Sequence, residues 1–439
     1  MSFSSYNNIK KALLSKAIVA LFTLIVTFIA LTISRCSSTP EKNQAKANIA
    51  EKKDSFKKDT VIPKTEVPQA SIPKKKVVRI YNDNARFIAG LKSEEGSEFK
   101  KLENNRDWQH YATWSNAVWS KLKEGQLKKV TTWAQKELAF VNTTEATNKN
   151  LKLFYPFSGA DFLYANTLFP TADEYLMIGL EPVGKVPDIR KIPEDFWENY
   201  FLALKTSMDD ILTASFFKTK DMRKDFTIQE LKGTLPILMI FIARTGHKIV
   251  TLEPVEINDS GKIIDSRLDK IAHHQYSQMH GVRITFEKDS LSNSANNSQK
   301  SIYYFSIDLS DPSLKQKPGF ELFLNSYGKT VSFIKSASYL MHENNFSAIR
   351  SLILKHSYTH VQDDSGIPLK YFYEGEQNTK WQEPLFYGGY KAPIPMFKNC
   401  YQEELKNKFA DTTIVKPLPF RIGYQNLAKQ SNIIIVKSK

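Results

Sequence analysis

Cysteine is nearly absent, with Cys36 and Cys400 the two in 439 residues. One bridge is the most such a chain could form, and Cys36 closes an apolar stretch far from the body. A disulfide framework and an all-cysteine zinc site are therefore excluded. Arginine is also scarce, 11 residues against 50 lysines. Reading base edges leans on the bidentate guanidinium fork that lysine cannot reproduce, so no nucleic-acid partner is expected. Two motifs are missing as well: G-x-G-x-x-G, which seats a dinucleotide pyrophosphate, and G-x-S-x-G, which presents a nucleophilic serine.

What is present is apolar surface: 28 Phe, 19 Tyr and 6 Trp rule out a disordered or fibrous chain. The net charge of +15 is uneven. Residues 1–36 carry +4 with no acid, residues 37–76 carry +5, and +6 remains on the rest. Ala17 to Ile33 is a run of seventeen residues without a charge, preceded by three lysines. At about 1.5 Å per residue it spans roughly 26 Å, close to a ~30 Å hydrocarbon core, and predicts a membrane segment. It can act as an uncleaved anchor, a cleaved signal, or a lipidation signal at Cys36, although Arg35 stands where a lipobox carries a small residue. Lysines or arginines flank it equally on both sides, yet the order of basic start, apolar run and polar tether resembles an exported bacterial protein.

Residues 37–76 hold four prolines, ten lysines and one aromatic, too little to offset ordering entropy. They predict a linker that places the body roughly 35 Å from the anchor. Residues 77–148 predict a helical segment holding four of the six tryptophans. Those tryptophans fit either a ligand platform or a core, and helical spacing favours the core.

Residues 149–439 alternate strands and helices. Strand Leu151–Phe157, turn Ser158–Asp161, helix Phe162–Phe169 and strand Glu174–Leu180 make a βαβ unit. Further elements include a buried helix Leu235–Arg244, an antiparallel pair at Gly281–Lys288 and Ser301–Leu309, and strands at Thr330–Ile334, Thr359–Gln362, Pro384–Tyr390 and Ile433–Val436. The expected fold is α/β, a mixed, mostly parallel three-layer sheet of Rossmann-like type behind the helical segment.

Open α/β sheets bind ligands at the carboxyl ends of their strands, which directs attention to Asp161 and to Glu181 after the second strand. That arrangement resembles a nucleotide-binding Rossmann half, in which an acid after the second strand takes a ribose hydroxyl. His342 lies one helical turn from Ser338, and Asp363 or Asp364 could complete a hydrolytic set. His356 and His360 are four apart with two aspartates following, a spacing that suits a divalent metal if the helix continues through both.

The strings YPFSGADF from Tyr155, GLEPVG from Gly179, KSASYLMH from Lys335, QDDSGIP from Gln362, YGGYKAPI from Tyr387 and LPFRIGY from Leu418 resemble an uncharacterised family of exported, membrane-anchored bacterial proteins. The resemblance covers residues 150–424 and implies export and a compact α/β body, without assigning an activity. The expected function is a membrane-tethered, extracytoplasmic domain that binds a small-molecule or envelope ligand. The alternative is a hydrolase of an envelope or extracellular substrate using Asp161, Glu181, His342, Asp363 or Asp364.

Overall fold

Leu153 and Tyr155 point to one side of a strand and Phe154 to the other, and both sides are buried, in two separate hydrophobic clusters. The neighbouring strand repeats this, with Tyr175 and Met177 in the first cluster and Leu176 and Ile178 in the second. Apolar residues on both faces are what a sheet covered on both sides requires. The computed structural model describes residues 74–142, 150–214, 233–266, 279–289, 298–373, 377–426 and 430–439. The expected membrane segment and the tether up to residue 73 lie outside these. Among the described residues no helix is long and apolar enough to cross a membrane.

Eleven strands form one sheet: β1 (Lys152–Tyr155), β2 (Glu174–Gly179), β3 (His247–Ile257), β4 (Ile263–Asp265), β5 (Met279–Lys288), β6 (Lys300–Ser306), β7 (Thr330–Ile334), β8 (Ser357–Gln362), β9 (Leu385–Gly388), β10 (Val415–Lys416) and β11 (Asn432–Lys437). Their order is β10-β9-β11-β8-β7-β1-β2-β6-β5-β3-β4. The centre, β8-β7-β1-β2-β6, is parallel. From β1 the chain steps outward through β2 to β6, then crosses to the other side of β1 and continues through β7 to β8. The order reverses between β1 and β7.

The expectation of a mostly parallel sheet needs correction, because five of the ten neighbouring pairs are antiparallel. After β2 the chain makes a long excursion and returns through β3, β4 and β5, each laid antiparallel to its neighbour. The terminal strand β11 inserts antiparallel between β8 and β9.

Helices α1 (Lys74–Ile88), α2 (Arg106–Leu122), α3 (Lys128–Glu137), α4 (Phe162–Leu168), α5 (Trp197–Ala214) and α6 (Leu235–Arg244) contribute to the first cluster. Helix α1 begins at Lys74, inside the stretch expected to be linker. Trp108, Trp119 and Trp133 are buried, Trp108 stacks on Phe87 at 5.1 Å and its indole N–H donates to Phe87 O at 3.0 Å. These tryptophans are core, and the helical segment is one covering layer of the sheet. Helices α7 (Gly319–Tyr327), α8 (Ser347–His356) and α9 (Glu403–Ala410) contribute to the second cluster.

Candidate functional site

Where the strand order reverses, the loops leaving β1 and β7 separate and leave a crevice, the position at which open α/β sheets take ligands. The loops after β2 and β6 complete its walls. It encloses about 120 Å³, less than the ~300–1,000 Å³ of drug-sized sites. A small fragment is enclosed and the remainder of any larger ligand lies in the mouth, where Leu180 is 56% exposed.

At its base lies an ion pair. Lys335, directly after β7, places Nζ 2.6 Å from Asp161 Oδ2, with both side chains almost fully buried. Tyr155 O–H donates to the same Oδ2 at 2.9 Å, and Lys335 Nζ lies 4.4 Å from the centre of the Tyr164 ring. The other oxygen of Asp161 accepts from Tyr164 N at 3.2 Å, capping α4. A buried charge must be paired and hydrogen-bonded, and this carboxylate meets that condition with three donors.

Glu181 lines the crevice as expected, following β2. Its backbone carbonyl accepts from Tyr304 O–H at 2.7 Å. Gly179, the last residue of β2, has to be small: a Cβ there would lie 2.6 Å from Tyr304 Oη, 2.7 Å from Glu181 Oε2 and 3.1 Å from Gly159 Cα. Asp308, after β6, is exposed on the same rim and accepts from Ser310 N at 2.9 Å. The charged groups lining the crevice are therefore three carboxylates and one ammonium.

The wall after β7 is backbone held in an unusual conformation. Ser336, Ser338 and Tyr339 have φ of 53°, 51° and 53°, and Phe157 on the opposite wall has φ 59°. Four left-handed non-glycine residues around one crevice concentrate strain that the surroundings must hold. Ser336 Oγ is buried there without a hydrogen-bond partner.

Asp363 and Asp364, predicted from sequence, do not line the crevice but stand behind this wall. Asp363 accepts from Ser336 N at 2.9 Å, and burial with Asp364 beside it pushes its carboxyl up to about 7. Asp364 is engaged by Tyr339 O–H, by Asn432 Nδ2 at 3.0 Å and by Gln425 Nε2 at 3.3 Å. Burial raises its carboxyl too.

The hydrolytic set does not assemble. Ser338 Oγ lies 3.0 Å from Tyr424 Oη, whereas Nε2 of His342 is buried with no partner, and burial lowers that imidazole to about 4. The metal expectation is likewise corrected. His356 ends α8 and lies 3.1 Å from Asn325 Oδ1, while His360 sits inside β8 with Nε2 2.6 Å from Gln362 Oε1. The chain turns from helix to strand between them, and no group of three metal-ligating side chains occurs among the described residues.

Sequence reasoning missed Lys335, Tyr155, Asp308 and Tyr424 as site residues. A lysine directly following the apolar strand TVSFI was the available signal for the first. Comparison with protein-family models, curated proteins and solved structures finds no match.

Proposed function

We propose that the chain is a membrane-tethered binding protein whose α/β body takes a neutral or cationic, diol-bearing small molecule of the nucleoside class in this crevice. The observation that supports it is Glu181, which follows β2 in a crevice at the reversal of strand order. In Rossmann-like sheets a carboxylate there accepts from a ribose hydroxyl.

The surroundings argue against a phosphate on the ligand. A diphosphate normally sits at the helix N-terminus after the first strand, on glycine-rich backbone. Here that helix has seven residues and its N-terminus is filled by the Asp161 carboxylate. The other lining carboxylates, Glu181 and Asp308, repel anions further. A phosphate-free nucleoside also suits a body exported beyond the membrane, as the sequence pattern and the resemblance to exported proteins suggest.

Calorimetric titration of the purified chain with adenosine, S-adenosylmethionine, AMP and ribose tests this. Adenosine or S-adenosylmethionine should bind at least tenfold more tightly than AMP, and Glu181→Gln should weaken binding at least tenfold while leaving the melting temperature within a few degrees. No binding by either nucleoside, or unchanged binding by Glu181→Gln, would refute the proposal.

A further inference from the structure

The strained wall of the crevice is fastened from behind at three consecutive amides. Ser336 N donates to Asp363 Oδ2 at 2.9 Å, Ala337 N donates to Ser365 Oγ at 2.8 Å, and Ser338 N donates to Tyr424 Oη at 3.2 Å. The second fastening depends on the first residue, because Ser365 Oγ–H and Ser365 N donate to Asp363 Oδ1 at 2.5 Å and 3.0 Å. One carboxylate thus governs two adjacent amides of the wall. The third closes on itself, since Tyr424 O–H donates to Ser336 O at 2.8 Å. Gly423 packs so closely on Asp363 that a Cβ there would overlap its carboxylate.

From this arrangement we infer that Asp363 is the positioning residue of the crevice, a proton-operated latch that holds the left-handed Ser336–Tyr339 wall when ionised and slackens it when protonated. The inference deepens the binding proposal and rests on it for its functional meaning. Charge-assisted hydrogen bonds are roughly twice as strong as neutral ones. A protonated Asp363 must also donate; Ser336 N and Ser365 N can only donate to it, so its proton can go only to Ser365 Oγ, whose own O–H must then turn away from Asp363. The titratable groups around it are Asp364 on the same loop, Tyr339 on the wall, Tyr155 at the end of β1 and Tyr424 on the carboxy-terminal segment. The Lys335–Asp161 pair is fixed one residue before the wall.

Two responses to pH run in opposite directions, which separates the latch from general loosening. Burial holds the folded-state value at about 7, above the ~3.9 of an exposed aspartate. Between these values the folded chain retains a proton that the unfolded chain has released, so this group's contribution to global stability falls as pH rises through the window. Order in the wall should rise as pH passes through about 7, where the folded-state carboxyl ionises.

Hydrogen exchange of residues 335–340, read by mass spectrometry on the full chain in detergent and corrected for intrinsic rates, tests the latch. Protection at Ser336 and Ala337 should increase severalfold from pH 5.5 to 8.5. Asp363→Asn should abolish that dependence, and Ser365→Ala should release Ala337 alone. Protection that does not change with pH, or that Asp363→Asn leaves as in the parent chain, overturns the inference. Should Asp363→Asn fail to fold, the pH series and Ser365→Ala still decide. Adenosine titration in parallel keeps the outcomes distinct: a pH-responsive wall without nucleoside binding sinks the binding proposal alone, and binding with an unresponsive wall sinks the latch alone.

Discussion

Asp161 and Lys335 lie at the base of the crevice, 174 positions apart in sequence and 2.6 Å apart in space. Removing one partner leaves the other buried without compensation, which costs about 3–5 kcal/mol, whereas removing both together costs less. Asp161→Asn should therefore lower unfolding stability by about 3 kcal/mol, and the double variant Asp161→Asn with Lys335→Met should recover part of that loss, as measured by urea denaturation. A double variant no more stable than Asp161→Asn alone would show that the two charges are not coupled. Asp161 was legible in sequence because it follows a strand, turn and glycine at the start of a helix. Its cation was not, because nothing local links residue 161 to residue 335. His342, His356 and His360 had attractive spacings, but a helix-to-strand change separates His356 from His360, each with its own amide partner, and His342 Nε2 is buried with no partner.

Helix α6 shows what local sequence fixes at the scale of an element. Leu235 to Ala243 is apolar throughout, Pro236 sits in the first turn and Gly246 follows the last, and nine of its ten residues are buried. Ile240→Ala should cost about 2–5 kcal/mol through lost burial and a cavity. Lys406→Ala, on the exposed side of α9, should change stability by less than about 0.5 kcal/mol. Chemical denaturation of the two variants checks the contrast, and equal losses would mean that α6 is not core. The bounds of α6 and of β7 coincide with those expected from pattern. The two-residue β10 and three-residue β4 were not foreseen, since strands that short exist only through their partners. Strand β3 runs on through Pro254 to Ile257, where a proline suggests an end, because its pairing with β5 carries it past that residue.

For the molecule as a whole, the described residues, from Lys74 onward, belong to one compact unit. If residues 17–33 are the membrane segment, the full chain should sediment with membranes in 0.5 M salt, and a chain starting at Ala70 should remain in the supernatant with its melting temperature within a few degrees. A full chain found in the supernatant would remove the anchor from the proposal. Composition and periodicity determined an α/β body with a helical layer, the position of most elements and the carboxyl-end turn that carries Asp161, because these depend on neighbours a few residues apart. Tertiary structure alone decided the strand order, the equal share of antiparallel pairs, the Asp161–Lys335 pair and the placing of Asp363 behind the Ser336–Tyr339 wall. Each of these joins residues far apart in the chain, and their juxtaposition is set by how the sheet assembles rather than by any local preference.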